Sequence, residues 1–238
     1  MDKISVVALD LDGTVTEGRE KIEEQNKQFL SALAKKYRLL IVGAGDCERI
    51  ISQLDGLCID VVGNYGMQYA RYDKSKGEYV YIKNETAPID REDITRRART
   101  VFSLFPHLDI PTEVVQFFPS GCFCIPLLGA NASSKSKAEF DPDRKIRKST
   151  FPYVQKMFPE YELYIGGRAS FDAAPNGCSK YKALCDYCDL NGIARESVIF
   201  CGNDYKKYGN DESVYLSEFS FVTIDDYRTL PDRLSFLL

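Results

Sequence analysis

Asp10-Leu11-Asp12-Gly13-Thr14 carry the densest chemistry in this 238-residue chain, directly after a continuous apolar run at residues 5–9 (SVVAL). Strand alternation puts Asp10 and Asp12 on one side, and the carboxyl end of a central strand is where open α/β sheets place their ligands. Two carboxylates this close are costly without a cation. A Mg²⁺ ion would neutralise one and leave its oxygen free to attack a phosphorus atom, while the neighbour carries the proton for the leaving oxygen. Gly13 permits a sharp exit from the strand that keeps backbone N–H groups turned toward the site, and Thr14 adds a hydroxyl.

The elements that must hold these residues alternate from the start of the chain. The run at 5–9 has no polar face, which suits a central parallel strand covered on both sides. Over residues 21–37 the apolar positions Ile22, Phe29, Leu30, Leu33 and Tyr37 fall near one helical face. Residues 38–42 (RLLIV) read as a second strand, 47–54 as a helix that Asp46 caps, and 59–63 as a third strand. Three strands joined by helices predict a doubly wound α/β core.

The pattern then changes. Residues 66–82 read as a hairpin around 73–77, Ala87-Pro88 breaks the chain before an Arg-rich helix, and a second module begins near Asn84. In it, 113–118 and 122–128 read as strands paired around Pro119-Ser120-Gly121, a helix occupies much of 143–158, and strands at 161–166 and 170–174 complete an α+β unit. The parallel pattern resumes with a helix at 180–190, strands at 197–201 and 219–224, and a short final helix. The expectation is a mainly parallel, Rossmann-like core over 1–83 and 177–238, interrupted by a cap domain at 84–176.

Composition narrows the function classes. With 44% hydrophobic and 28% charged residues, disorder is disfavoured. Residues 114–130 contain Gln116, Pro119, Ser120 and Pro126 and fall short of the ~20 apolar residues of a membrane span. Asp10 and Asp12 interrupt the N-terminal apolar run before it reaches the ~7 to 15 residues of a signal core, so a cytoplasmic location is expected. The net charge of -4 offers no general attraction to nucleic acid or an anionic bilayer. Eight cysteines without a regular framework are expected as free thiols; Cys122, Cys124, Cys185 and Cys188 could instead form a four-thiolate zinc site. Any histidine-based site would depend on His107 alone, which sits at a turn-like position.

The motif at residues 10–14 resembles the first motif of the haloacid-dehalogenase-like (HAD) phosphotransferases. Residues 41–46 (IVGAGD), 165–172 (IGGRASFD), 176–180 (NGCSK), 200–204 (FCGND) and 209–211 (GND) are similar, in order and nearly in spacing, to the eukaryotic-type phosphomannomutases. The similarity covers most of the chain. It implies a HAD core with a large class IIB cap inserted after the third core strand, where the second module begins. By position, Asp10 matches the phosphorylated nucleophile, Asp12 the general acid/base, and Lys180 the lysine that screens both the aspartate and the transferring phosphoryl group. Asn210 and Asp211 match the pair that anchors the metal and orients the lysine. The implied Mg²⁺ ligands are Asp10, Asp12, Asn203, Asp204 and Asp211. Thr14, Arg19, Gly43, Ala44 and Gly45 are the implied phosphate contacts of the core; Lys137, Ser170 and Asp172 are the implied substrate contacts of the cap. Family mutases often dimerise through the cap, which the apolar cap strands allow.

Three departures stand out against the resemblance. Gly45 occupies the place of a Ser or Thr that hydrogen-bonds the phosphoryl group, and Asn203 the place of an aspartate, with Asp204 following it. Pro119, Ala130 and Lys137 stand where cap arginines grip the second phosphate of a bisphosphate, and the cap's 12 basic and 12 acidic residues supply no compensating field. The cluster Arg144, Lys145, Arg147 and Lys148 reads as a solvated helix face, as do Arg96, Arg97 and Arg99. These features favour a Mg²⁺-dependent phosphatase acting on a sugar phosphate through an aspartyl-phosphate. The alternatives are a phosphomannomutase and a degenerate relative that binds a phosphorylated ligand without turnover.

Overall fold

The computed structural model describes residues 4–238, apart from the side chain of Ser134; residues 1–3, at which the expected core domain starts, lie outside the described residues. The chain divides into two compact units, described separately below. The first comprises residues 4–85, Cys178–Lys207 and Asp211–Leu238; the second comprises Thr86–Gly177 together with Tyr208–Asn210.

The first unit is built on β1 (Val6–Leu9), β2 (Arg38–Val42), β3 (Asp60–Gly63), β4 (Gln68–Asp73) and β5 (Glu78–Asn84). Helices α1 (Glu24–Leu33) and α2 (Cys47–Gln53) lie between the first three strands. In the second unit follow α3 (Arg91–Val101), β6 (Gln116–Phe117), β7 (Phe123–Pro126), α4 (Ser134–Phe140), α5 (Lys145–Met157), β8 (Tyr161–Tyr164) and β9 (Ser170–Pro175). The chain completes the first unit with α6 (Lys180–Asn191), β10 (Val198–Gly202), α7 (Glu212–Tyr215), β11 (Ser220–Thr223) and α8 (Leu230–Arg233).

Among the described residues the first unit forms a seven-stranded sheet in the order β11-β10-β1-β2-β3-β4-β5, parallel through β3 and antiparallel in the β4–β5 hairpin. The expected α/β class holds. β1 alternates its side chains between two apolar layers: Val7 and Leu9 join Phe29, Leu30 and Leu33 of α1, while Val6 and Ala8 join Leu184 and Tyr187 of α6. A strand buried on both faces cannot alternate polar and apolar residues, which is why 5–9 reads as one apolar run.

Helix α1 is shorter than the 21–37 expected. Glu23 is extended (ψ 150°) and the chain turns at Ala34, yet Ile22 and Tyr37 still pack in the same apolar layer from outside the helix. Their spacing reports burial and says nothing of where the helix ends. Asp46 caps α2 as expected, its carboxylate accepting the Arg49 N–H at 2.8 Å. Helices α4 and α7 have no counterpart in the sequence reading, being only 7 and 4 residues long.

The second unit carries a four-stranded antiparallel sheet among the described residues, ordered β6-β7-β9-β8, whose apolar face packs with Ile94, Ala98 and Val101 of α3 and with Phe151 and Val154 of α5. Arg147 corrects the expected solvated face. It is 1% exposed and paired with buried Asp141 at 3.0 Å, whereas Lys145 is exposed. Arg97 likewise is half-buried, donating to the Met157 carbonyl at 2.8 Å and pairing with Glu160, while Arg96 and Arg99 stay in solvent.

All eight cysteines are free thiols, and no group of three or more His, Cys, Asp or Glu among the described residues is disposed to hold a metal, so the four-thiolate site does not form. His107 is exposed in a turn. No helix among the described residues is long and apolar enough to cross a membrane.

Candidate active site

The parallel registers Leu9↔Cys201 and Leu9↔Ile41 set the loops that follow β10, β1 and β2 side by side at the carboxyl edge of the sheet. Asp10 is the first residue beyond β1, and its N–H donates to the Cys201 carbonyl at 2.8 Å. The chain then turns tightly: the N–H groups of Thr14, Val15 and Thr16 all donate to the Leu11 carbonyl, and that of Gly13 to the Thr16 carbonyl. Gly13 lies at φ +96°, and a Cβ there would fall 2.3 Å from Asn203 Nδ2, so both conformation and space require glycine.

Asp10 is 5% exposed and uses its two oxygens differently. Oδ1 accepts from Lys180 Nζ at 2.5 Å, and Oδ2 accepts from Thr14 Oγ1 at 3.0 Å. Lys180 opens α6 behind the Ser179 cap, is fully buried, and also donates to Asp211 Oδ1 at 2.7 Å. Burial opposes its charge, but Asp10 and Asp211 together outweigh that and raise the ammonium above its usual range. Burial pushes the Asp211 carboxyl up to about 7, against the pull of Lys180. Asp211 Oδ2 accepts the Asp204 N–H at 2.9 Å and packs on Gly202, where a Cβ would sit 2.5 Å away.

Thr14 Oγ1 stands 3.0 Å from Asp10 Oδ2 and 3.3 Å from Asn203 Oδ1. A hydroxyl has one proton, so only one of these oxygens can accept it at a time. Two hard oxygen donors that share the Thr14 hydroxyl as neighbour, one anionic and one neutral, are of the kind that suits a divalent cation such as Mg²⁺, which keeps several waters and needs few protein ligands. The other implied metal ligands are placed differently: the Asp211 carboxylate is engaged by Lys180 and the Asp204 amide, and the Asp12 carboxylate by α2.

Asp12, a third exposed, receives Arg49 Nη1 at 3.2 Å on Oδ1 and 3.0 Å on Oδ2, and Gln53 Nε2 at 3.0 Å on Oδ1. The two acids therefore sit in separate partner sets. Arg49 and Gln53 are absent from the sequence reading; the available signal was their i, i+4 spacing on a helix whose cap follows Gly45. The expected backbone donors are present in part. The Gly43 N–H is used by the Val62 carbonyl at 2.9 Å, whereas the amides of Leu11, Asp12, Ala44 and Gly45 have no hydrogen-bond partner among the described residues. Arg19 is exposed just past Gly18.

The remaining expected residues lie in the second unit. Ser170 Oγ is 3.0 Å from the Gly166 carbonyl and 3.2 Å from Asp172 Oδ1, and Lys137 Nζ donates to the Ala130 carbonyl at 2.7 Å. Arg147 Nη1 donates to the Gly166 carbonyl at 2.8 Å and reaches that of Ser170 at 3.3 Å, holding the turn between β8 and β9. Asn210 falls in the second unit, its neighbour Asp211 in the first.

The chain is similar to known proteins over most of its length. Residues 26–231 match the family described as eukaryotic phosphomannomutase. The chain is 28% identical over 219 residues to phosphomannomutase 1 of Dictyostelium discoideum, covering 88% of this chain and 86% of that protein. Among solved structures it resembles a haloacid dehalogenase-like hydrolase from Bacteroides thetaiotaomicron, with TM-score 0.62, 16% identity, and 99% and 100% of the two chains covered. It also resembles the IMP-bound, N-terminally truncated IMP-nucleotidase of Plasmodium falciparum, with TM-score 0.70, 11% identity, and 99% and 68% covered.

Proposed function

Because the chain belongs to the eukaryotic phosphomannomutase family, and is thereby an enzyme of the HAD phosphotransferase type, we propose that it moves a phosphoryl group between two positions of a hexose phosphate, mannose phosphate being the first candidate. The observation that carries this reading is the buried Asp10–Lys180–Asp211 cluster at the edge of the parallel sheet, with Asp10 Oδ1 held 2.5 Å from the ammonium. Asp10 attacks phosphorus; an Asp10 oxygen–phosphorus bond forms as the ester bond to the sugar breaks, and Asp12 delivers a proton to the departing sugar oxygen. In a mutase cycle Asp10 starts already phosphorylated by a bisphosphate primer. Asp12 takes a proton from the free sugar hydroxyl, whose oxygen takes the phosphoryl group from Asp10, and the attack described above on the other phosphate of the resulting bisphosphate restores the phosphorylated Asp10. Lys180 offsets negative charge on Asp10 and on the phosphoryl oxygens throughout.

Asp10 and Asn203 are the side chains that would hold Mg²⁺, with Asp204 adjacent. When bound, the ion supplies positive charge that offsets the anionic phosphoryl oxygens. Open amides at Leu11, Asp12, Ala44 and Gly45 support a phosphate cradle beside it.

A second reading, hydrolysis of the aspartyl-phosphate by water, is favoured by one observation in the second unit. Lys137, at a place where a mutase arginine is expected, spends its ammonium on the Ala130 carbonyl. Incubating the protein with Mg²⁺, mannose 1-phosphate and a hexose bisphosphate primer separates the readings. A mutase yields mannose 6-phosphate faster than inorganic phosphate, a phosphatase the reverse. Neither product from any sugar phosphate, with Asp10→Asn indistinguishable from the native protein, would leave only a phosphate-binding relative.

A further inference from the structure

Gly45 and Arg49 form one feature. The guanidinium lies over Gly45 so closely that a Cβ there would fall 1.9 Å from Nη2, 2.3 Å from Nε and 2.4 Å from Cζ. The backbone of Gly45 is not in the left-handed region, so its conformation does not call for glycine. Only the arginine does. Nη1 is committed to Asp12 and to Gln53 Oε1, the latter at 2.5 Å. Nε and Nη2, the edge that forms the bidentate fork of an arginine, have no partner among the described residues. That edge lies over Gly45, whose amide is open like that of Ala44 before it, and the opposite corner of the guanidinium touches the acid proposed to carry the proton.

We infer that Arg49 is a phosphoryl-group ligand that stands in for the side-chain hydroxyl missing at position 45, with Gly45 present to make room for it. This deepens the proposed function and rests on it. A part-buried ion pair with Asp12 alone would not require the guanidinium to fill the space of a Cβ at position 45. A planar cation presenting two N–H groups to phosphate oxygens replaces a single hydroxyl donor, and its third nitrogen keeps Asp12 beside the bond being made or broken.

Isothermal titration of the Mg²⁺-supplemented protein with inorganic phosphate tests the inference, with the urea midpoint of each variant measured alongside. Arg49→Gln should weaken phosphate binding by about tenfold or more at an unchanged midpoint. Gly45→Ser should lose a comparable factor, because the new side chain displaces the guanidinium. Gly45→Ser combined with Arg49→Lys should recover to within about threefold of native, since lysine vacates the space and the serine hydroxyl takes over. A double variant that binds phosphate no better than Gly45→Ser alone would overturn the inference. So would native-like affinity in Arg49→Gln, and with hexose phosphate turnover intact that result would spare the proposed activity. A native protein that neither binds phosphate nor turns over any ester would overturn both.

Discussion

Lys180 is a cation sealed between two carboxylates, and removing it leaves both acids without a counter-charge inside the protein. Lys180→Met should therefore lower stability by about 3–5 kcal/mol in urea unfolding and abolish turnover together. Asp10→Asn should behave differently, reducing turnover on the order of 10⁴-fold or more while keeping most of the stability, because the amide can still accept from Lys180. Gly13→Ala should cost about 1–3 kcal/mol through its positive φ alone, and additionally push Asn203 away from Thr14, seen as weaker Mg²⁺ binding by titration. At this scale the sequence was legible where one motif contains both the residue and its neighbours, as in 10–14. Arg49 was not, because its significance comes from a glycine on the preceding turn and an aspartate on the turn that follows β1, and neither contact has a periodic signature.

Among the elements, α2 and α5 each place an arginine that helical periodicity alone would consign to solvent. In α5, Arg147 is buried against Asp141 and donates to the carbonyls of the turn carrying Gly166 and Ser170. Arg147→Met should cost about 3–5 kcal/mol by leaving the buried Asp141 carboxylate without its counter-charge, with the Ile146 and Arg147 amides still donating to it. It should also raise KM for a sugar phosphate with little change in kcat, since the turn it holds leads into Ser170 and Asp172. Equal kcat and KM in a folded variant would separate that turn from substrate binding. The core strands are legible because a doubly buried strand leaves an unbroken apolar run, whereas the strand expected over 113–118 forms only at Gln116–Phe117, where burial is partial. Helix ends were read less well: apolar residues such as Tyr37 pack into the core after the helix has stopped, its hydroxyl donating to the Leu237 carbonyl at 3.1 Å.

For the molecule as a whole, the buried thiols set a limit at alkaline pH. Burial pushes Cys47 from its ordinary 9.0 to about 12, and it raises Cys201 as well. The folded state then retains protons that the unfolded chain releases, so stability should fall as pH rises through the window from 9 to about 12. Urea midpoints measured across that range check the sign. A maleimide at neutral pH should label exposed Cys58 first in the native protein and all eight cysteines only after unfolding.

The central sheet also dictates when the protein can exist at all. β1 emerges first, yet one of its two neighbours, β10, lies so far downstream that Ser5 and Ser197, which share a hydroxyl hydrogen bond, are 192 positions apart. Lys180 follows Asp10 by 170 positions. At about 5–20 residues per second, translation leaves β1 without that neighbour, and Asp10 without its ammonium, for about 10–40 s on the ribosome. Throughout that interval the nascent chain exposes an unpaired apolar edge and holds no assembled site, so a ribosome stalled before codon 180 releases a fragment with every residue of the first motif and no capacity for phosphoryl transfer.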